Sequence, residues 1–486
     1  MSWYFGYILA YFIFMFAIGI YYFTKIKTSD SYLIAGWNMG FWNIVGTIIS
    51  TNCGAAVFIG WIGMGFTMGV SGFFKFALPA MLVSMLLIFF FSRPLRRQRL
   101  YTLADLFSER FGSKTGIIPS VLSAFIYSVP TTALQIVGMS TVFSIAFNIN
   151  VKTGIVLSFI LILGFTILGG LVATIVTDAI QSVILIVGIV MLAYAALQFG
   201  GGMEHILSST PKNYLTPLGA NGLGDVLLFA LSVAPFYLVW QSTWQRIFAS
   251  KTEDIAIKAG LTGYAITLCI SVLPYSIGIM ARQFVPADIH PDLIFSYVTV
   301  EMLPPYIGGI ILIGLLSALM TGADSFILQG SSNITQDLYH RLFNPNATEK
   351  QMMFVSRLSV VIISVLSLLV AFALTDIVSM YQWALRLSAT TLVFPFLAIM
   401  FWRRTTNTAV ISSMLLACFT TILWPLLHTG IDQTIPGFIM SFCSLVIISL
   451  WTKHSPSENV KAVYWEDLPS ANRKINDINS SENKAV

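Results

Sequence analysis

The segment Ser317-Ala-Leu-Met-Thr-Gly-Ala-Asp-Ser325 places three hydroxyl side chains and one carboxylate within a long apolar run. Two further polar groups follow it along the chain, Gly330-Ser-Ser-Asn333 and Asp337-Leu-Tyr339. Polar side chains inside an apolar helix are costly unless they face a partner. Carbonyl, hydroxyl and carboxylate oxygens are the ligands that small hard cations such as sodium prefer. The segment therefore predicts a membrane helix that faces a cation.

The chain as a whole has the composition of a membrane protein. Of its 486 residues, 56% are hydrophobic and 10% are charged, and the mean hydropathy is +0.82. Such a composition cannot cover a water-soluble surface of this size. Apolar runs of roughly 20 residues, the length that crosses a bilayer, recur thirteen times between residues 3 and 452. We expect an all-α polytopic membrane protein with about 13 transmembrane helices, formed by residues 1–452.

The two ends of the chain differ in character. The first apolar run, residues 3–24, has no basic segment before it and no small-residue cleavage site after it, so we expect it to remain in the mature protein. Residues 453–486 are polar and charged with few aromatic side chains, which predicts a disordered cytoplasmic tail. The net charge of +5 indicates no nucleic-acid partner, because basic residues in membrane proteins mainly mark topology.

The basic residues predict the orientation of the chain. Of the 26 Lys and Arg residues, 21 fall on the tail and on the loops that follow runs 1, 3, 7, 9 and 11, with Arg246 assigned to the loop after run 7. The opposite loops hold three, which are Lys152, Lys212 and Arg282. Because cytoplasmic loops carry the excess of Lys and Arg, the N-terminus is predicted outside and the C-terminus in the cytoplasm. The expected location is the bacterial inner membrane.

The second apolar run, Phe41 to Met68, carries five glycines and the polar sequence Ser50-Thr51-Asn52. Small residues of this kind allow close packing of neighbouring helices. They also suit a helix interrupted in mid-membrane, whose freed carbonyls can face a cation. A similar interruption is predicted around Pro235, five runs later. Interruptions at matching positions of two halves are typical of an inverted repeat with a binding site between the halves.

Three ordered motifs resemble the sodium/solute symporter family, which includes the sodium-coupled sugar, proline, sialic acid and choline transporters. They are Ala318-Leu-Met-Thr-Gly-Ala-Asp-Ser325 with Asp337-Leu-Tyr339, Gly169-Gly-Leu-Val-Ala-Thr-Ile-Val-Thr-Asp-Ala-Ile-Gln181, and Gln241-Ser-Thr-Trp-Gln-Arg246. The resemblance covers the chain from the first run to about Arg404. It implies a LeuT-like fold with inverted five-helix repeats, here about 41–199 and 226–401.

The resemblance also implies a sodium site between the second and ninth runs. Its residues by position are Ser50, Cys53, Ala318, Thr321 and Gly322. Many family members carry a second hydroxyl where this chain has Gly322, so the site is one side-chain ligand poorer unless water or Ser325 supplies it.

A second sodium site is implied by Asp178, which matches an acidic residue of some members, together with Asp324 and Ser325. A carboxylate at the start of a helix is also a favourable N-terminal cap without any ion. Both interpretations of Asp178 stay open at this point.

The residues at positions that match the family's solute pocket argue mainly against particular solutes, namely a sugar and a quaternary amine. Val57 and Phe76 stand where sugar transporters carry a glutamine and an acidic ligand, which disfavours a sugar. The motif from Trp240 to Arg246 looks most like the choline-transporting branch. That branch cages a quaternary ammonium with three tryptophans, of which this chain keeps one, with Asn52 and Thr131 at the other positions.

Two basic residues lie inside apolar runs and suggest an anionic solute. Lys75 has no carboxylate partner evident in the sequence, and its long stem could carry the ammonium to the membrane surface. Arg386 lies about two turns into the eleventh run, where a buried structural pair and a contact with a solute carboxylate are equally plausible. The candidate solute residues are Asn52, Val57, Trp61, Lys75, Trp240, Gln241 and Arg386.

The expected activity is sodium-coupled import of a small carboxylate-bearing solute, such as an organic acid, an amino acid or an acidic sugar, by alternating access. Sodium would be the coupling ion, and the partners would be the solute and membrane lipid. Proton-coupled or uncoupled transport and a transporter-like sensor are the alternatives. No catalytic constellation and no Walker-type phosphate loop occur in the sequence, so an enzyme is not expected.

Overall fold

The computed structural model describes residues 2–54, 56–286, 288–373 and 377–453, and these residues are almost entirely helical. Fourteen helices carry the architecture: α1 Ser2–Lys25, α2 Phe41–Asn52, α3 Ile62–Met68, α4 Leu78–Arg97, α5 Ser128–Phe147, α6 Val151–Phe199, α7 Gly222–Val233, α8 Gln241–Ala249, α9 Glu253–Ala281, α10 Pro305–Ser332, α11 Glu349–Ala373, α12 Ile377–Phe401, α13 Asn407–Leu423 and α14 Thr434–Trp451. Shorter helices connect them: Ser29–Ile34, Leu103–Phe111, Ile117–Val121, Met203–Ser209 and Phe236–Val239. The predicted tail, apart from Lys453, lies outside the described residues.

The number of membrane-length helices is smaller than the number of apolar runs. Within the described ranges, eleven helices are long and apolar enough to cross a membrane. One reason is that α6 joins two runs into a single helix of 49 residues. At about 1.5 Å per residue, α6 would be about 74 Å long if straight, more than twice the hydrocarbon thickness of about 30 Å. The other reason is that the second run is divided between α2 and α3, each too short to be a span.

Gly170 bends α6. Its φ of 49° and ψ of −164° lie outside the helical region, in a conformation that essentially requires glycine. A Cβ at this position would also lie 2.5 Å from Cδ2 of Tyr32. The bend and the close approach of Tyr32 therefore depend on the same missing side chain.

The predicted interruption of the second run is confirmed. Helix α2 ends at Asn52, and Cys53 has a non-helical φ of −101° and ψ of 32°. The chain resumes in a wide, π-type helical stretch, Ala56–Trp61, before α3. Such wide turns leave backbone groups outside the regular ladder of hydrogen bonds and are frequent at functional sites.

The predicted interruption near Pro235 is confirmed as well. Helix α7 ends at Val233, and the chain continues through the short helix Phe236–Val239 to Trp240, which has an extended ψ of 103°. Helix α8 then begins at Gln241. The break turns the chain sharply, because an extended residue separates two helical segments.

The described residues form two compact units, one within 2–103 and 120–389 and the other within 104–119 and 390–453. In the first unit α10 is the central helix, since 23 of its 28 residues are buried and it is enclosed on every side. In the second unit the guanidinium of Arg110 donates hydrogen bonds to the carbonyls of Ala398, at 3.2 Å, and Trp402, at 2.8 Å. This contact places a cation against the carbonyl end of α12, where the helix dipole favours it.

Candidate ion and solute sites

The break in α2 faces α10. A Cβ built on Gly54, the residue after Cys53, would lie 3.7 Å from the carbonyl oxygen of Ala318. Cys53 donates its backbone N–H to the carbonyls of Ile49, at 3.1 Å, and Ser50, at 3.2 Å. The structure thus brings the end of α2 and the middle of α10 together, as the predicted sodium site requires.

Thr321 joins α10 to α6. Its hydroxyl donates a hydrogen bond of 2.8 Å to Oε1 of Gln181, and the amide of Gln181 donates one of 2.6 Å to the hydroxyl of Tyr11. Tyr11 lies 3.7 Å from the sulfur of Met320. The hydroxyl oxygen of Thr321 keeps its acceptor lone pairs, because a hydroxyl that donates one hydrogen bond can still accept others or bind a cation.

Gly322 faces a glutamine from α5. A Cβ at position 322 would lie 3.0 Å from Cδ, 3.1 Å from Oε1 and 3.3 Å from Nε2 of Gln135. The same amide lies 3.8 Å from the position of a Cβ on Gly54. The side chain of Gln135 is therefore held between the break in α2 and α10.

Asp178 does not cap a helix. It lies eight residues after the bend at Gly170, and the residues between them are helical. A capping residue stands at the first position of a helix and satisfies its free N–H groups, whereas Asp178 lies about two turns inside. The capping interpretation is wrong because α6 starts again at Gly170, so Asp178 is a buried carboxylate in mid-helix.

Arg246 lies beside Asp178 in the interior. Its side chain is 1% exposed and that of Asp178 is 0% exposed, with Nη2 and Oδ2 separated by 3.8 Å. Thr47 donates to the same carboxylate oxygen at 2.5 Å and accepts from Nε of Arg246 at 3.2 Å. The sequence-based placement of Arg246 on a basic loop is wrong, because the break at Trp240 directs α8 into the bundle.

Asp324 and Ser325 complete this cluster. Nη2 of Arg246 donates to the hydroxyl of Ser325, and Thr174 donates to Oδ2 of Asp324 at 3.5 Å. The second carboxylate oxygens of Asp178 and Asp324 are buried and have no hydrogen-bond partner among the described residues. Two carboxylates thus share one guanidinium in a dry environment, where an unpaired charge is costly.

A cavity of about 280 Å³ lies elsewhere in the first unit. Its walls are largely apolar and include Trp61, Phe76 and Leu315, while Gln382 and Arg386 from α12 add polar groups. Trp61 stacks on Tyr275 with a centroid separation of 5.6 Å. Two predicted solute residues, Trp61 and Arg386, therefore line one cavity.

Lys75 has an acidic partner, contrary to the expectation from the sequence. Its ammonium lies 2.5 Å from Oδ2 of Asp225, with the two side chains 8% and 35% exposed. Asn221 donates to the same oxygen at 3.3 Å. The first turn of α7 supplies a carboxylate that spacing along the chain could not relate to Lys75.

The remaining predicted solute residues lie in other surroundings. Gln241 exchanges hydrogen bonds with Asn333 at 2.8 and 3.1 Å. Trp240 is buried and packs against Tyr237, with their ring centroids 5.4 Å apart. Asn52 donates to the carbonyl of Ile48 at 2.8 Å, and the side chain of Val57 lies outside the described residues.

Sequence reasoning missed several polar residues of this region. Gln135 and Gln181 are amides within apolar runs, and Thr47 precedes the polar sequence of the second run by one helical turn. A polar side chain in a membrane span is a signal in itself, and it could have pointed to these residues. The partners of each could not be assigned, since they come from distant segments.

Comparison with known proteins gives a consistent picture. A family model described as "Sodium:solute symporter family" matches residues 32–417. The osmoregulated proline transporter OpuE of Bacillus subtilis is 28% identical over 474 residues, covering 91% of this chain and 94% of the relative. A sodium/proline symporter of Staphylococcus aureus is 26% identical over 490 residues, covering 92% of each chain.

A solved structure shares the fold. The substrate-bound outward-open state of a Na+-coupled sialic acid symporter superposes with a TM-score of 0.83 at 17% sequence identity. The match covers 94% of this chain and 99% of that chain. The likeness extends over the membrane bundle as a whole.

Proposed function

Because the chain belongs to the sodium:solute symporter family, we propose that it imports a small carboxylate-bearing solute together with sodium across a bacterial inner membrane. The observation that carries the proposal is the break in α2, which faces the carbonyl of Ala318, one helical turn from Thr321 on α10. Backbone carbonyls at a helix break, close to a hydroxyl in an apolar surrounding, are suited to a small hard cation. Transport rather than catalysis is the activity proposed.

The first sodium ion would bind at this break. Its ligands would be the backbone carbonyls of Ser50, Cys53 and Ala318 with the hydroxyl of Thr321, beside Gly322. All but Gly322 present an oxygen that needs no deprotonation, so binding would not release a proton.

The second ion site would lie at Asp178, Asp324 and Ser325. The unsatisfied oxygens of the two carboxylates support it, because a cation between them would restore the charge balance that Arg246 alone leaves incomplete. A proton could serve the same purpose, since protonation also removes one negative charge. Proton coupling is therefore the second candidate, and it is distinguished by the gradient that drives uptake.

The cavity bounded by Trp61 and Arg386 would receive the solute. Its volume is near the lower end of the range of about 300–1,000 Å³ for ligand pockets, which suits a small molecule. A guanidinium recognises a carboxylate through two parallel hydrogen bonds. Since two relatives are named proline transporters, proline is the first solute to test.

The chain would cross the membrane thirteen times. Gly170 divides α6 into two crossings, and α2 with α3 forms one interrupted crossing. The inverted repeats would then occupy about 41–199 and 226–401, with the N-terminus outside and the C-terminus in the cytoplasm.

Uptake by purified protein in liposomes tests the proposal. An inward sodium gradient should drive accumulation of radiolabelled proline or of another carboxylate solute, and the same solutes should not accumulate with potassium in place of sodium. Accumulation under a proton gradient in the absence of sodium would favour the second candidate. Uptake indifferent to every imposed cation gradient would contradict coupled transport.

The role of Arg386 is tested by Arg386→Lys, which keeps the charge and loses the planar fork. We expect the solute concentration that gives half-maximal uptake to rise at least about tenfold in this variant, because a charge-assisted bidentate contact contributes roughly 1.5–3 kcal/mol to solute binding. Lys75→Met is the matched control, because Lys75 is engaged by Asp225. Unchanged solute affinity in Arg386→Lys, or transport of neutral sugars only, would contradict the anionic assignment.

A further inference from the structure

The space at Gly322 is occupied by a side chain from another helix. Gln135 belongs to α5, is 4% exposed, and reaches α10 at the one position where the proposed sodium site lacks a hydroxyl. Its Oε1 lies 3.1 Å from the point that a Cβ of residue 322 would occupy. A hydroxyl on such a Cβ would extend into the volume that the amide fills.

The amide also faces the break in α2. From the position of a Cβ on Gly54, both Oε1 and Nε2 of Gln135 lie 3.8 Å away and the carbonyl oxygen of Ala318 lies 3.7 Å away. Two glycines on different helices therefore leave room for one amide beside a carbonyl proposed to bind sodium. Glutamine oxygens are ordinary ligands of hard cations.

Ser325 is not available for the same purpose. Its hydroxyl accepts a hydrogen bond from Nη2 of Arg246, which directs it to the buried carboxylates of the proposed second ion site. Ser325 also belongs to the cluster with Asp178 rather than to the break in α2. A side-chain oxygen that replaces the missing hydroxyl would therefore come from another helix.

We propose that Oε1 of Gln135 is a ligand of the sodium ion bound at the break in α2, replacing the hydroxyl that position 322 lacks. The inference rests on the proposed function and adds a ligand to the same site. A glutamine amide can turn either its oxygen or its nitrogen towards a neighbour by rotation about χ3. Sodium would select the orientation that presents the oxygen, and a third helix, α5, would then join α2 and α10 in sensing the ion.

The inference can be tested by sodium binding alone. Purified protein is melted in detergent over a series of sodium concentrations at constant ionic strength, with potassium as the replacement, because a ligand that binds the folded state raises its melting temperature. Gln135→Ala should raise the half-saturating sodium concentration by about tenfold or more, the scale expected for groups that support a metal site. Gln245→Ala is the matched control: it removes a buried amide that donates to Ser332 at 2.8 Å and should leave that concentration unchanged.

A second substitution at Gly322 tests whether Gln135 binds sodium or only packs beside the site. Gly322→Ser alone should not tighten sodium binding, because its Cβ would lie 3.0 Å from Cδ of Gln135. In the double variant Gln135→Ala with Gly322→Ser, the serine hydroxyl has room and should return the half-saturating concentration to within about threefold of the original, well inside the tenfold loss. Variants that melt normally without sodium establish that folding is intact.

The outcomes distinguish the inference from the function on which it rests. If Thr321→Ala weakens sodium binding but Gln135→Ala does not, the inference is wrong and the sodium site stands. A loss in Gln135→Ala that Gly322→Ser cannot restore would also overturn it. If sodium raises the melting temperature of no variant and drives no uptake, the proposed function itself fails.

Discussion

Arg246 offsets part of the buried negative charge of Asp178 and Asp324. Its guanidinium contacts Asp178, Thr47 and Ser325, and the neighbouring Asp324 belongs to the same cluster. Desolvating several charges is expensive, but breaking such a cluster by removing one member is more expensive, because the remaining charges stay buried. A single basic residue on α8 thereby contacts both α6 and α10.

Replacing this residue should reduce stability strongly. We expect Arg246→Ala to lose about 3–5 kcal/mol, the typical cost of leaving a buried charge unpaired, seen as a large drop in melting temperature in detergent. Adding Asp178→Asn should recover part of the loss, since it removes one of the two negative charges.

The control for this prediction is an ion pair at the surface. Arg97 contacts Glu253 at 2.6 Å, with side chains 41% and 33% exposed. Exposed pairs contribute about 0–1 kcal/mol, so Arg97→Ala should change the melting temperature little. Equal shifts for Arg97→Ala and Arg246→Ala would contradict a structural role for the buried cluster.

At the scale of helices, the fold depends on three breaks. They occur after Asn52, around Pro235 to Trp240, and at Gly170. The first directs the end of α2 towards α10, the second turns α8 into the bundle, and the third kinks the 49-residue helix α6. Gly170 is itself the third break, and Gly54 and Pro235 lie close to the first two; glycine and proline are the residues that most readily interrupt a helix.

The break at Gly170 gives a test of backbone conformation. Gly170→Ala should destabilise the protein by about 1–3 kcal/mol for the unfavourable φ and ψ alone, and the contact with Tyr32 at 2.5 Å adds to this cost. Gly6→Ala in α1 is the matched control, because a Cβ there meets nothing within 4 Å. The measurement is the melting temperature of both variants, and equal values would contradict a requirement for glycine at Gly170.

The breaks were predictable and the contacts between helices were not. Five glycines in the second run and Pro235 indicated interrupted helices because these residues disturb helices locally. Arg246 was assigned to a loop because a run of residues gives no sign that the chain turns inward after Trp240. The pairs Gln135 with Gly322 and Lys75 with Asp225 each join positions 150 or more residues apart, so local spacing cannot relate them.

At the scale of the whole molecule, the exposed side chains are largely apolar. Phe90 and Leu231 are 61% and 65% exposed, which in a membrane protein places them against lipid. The distribution of Lys and Arg predicts which loops face the cytoplasm. The tail and one set of loops hold 21 of them, or 20 without the buried Arg246, and the other set of loops holds three.

Accessibility to a membrane-impermeant thiol reagent tests this orientation. Lys212 is exposed and lies on one of the loops with few basic residues, which are predicted to face outwards. A cysteine introduced by Lys212→Cys should therefore be labelled in intact cells. Lys350 is exposed and belongs to the loops rich in basic residues, which are predicted to face the cytoplasm. A cysteine introduced by Lys350→Cys should be labelled only after the membrane is permeabilised. The four native cysteines give the background for both. Labelling of Lys350→Cys in intact cells would reverse the predicted orientation.

The cluster of Asp178, Asp324 and Arg246 has a consequence for the response to membrane voltage. With both carboxylates ionised, the three side chains sum to one negative charge when no ion is bound, and one cation brings the sum to zero. Moving one elementary charge through the membrane field changes the energy by about 2.3 kcal/mol per 100 mV. In the proposed cycle, the membrane potential would therefore act on the empty cluster as on one negative charge, and a cation bound there would remove the cluster's contribution to the voltage dependence.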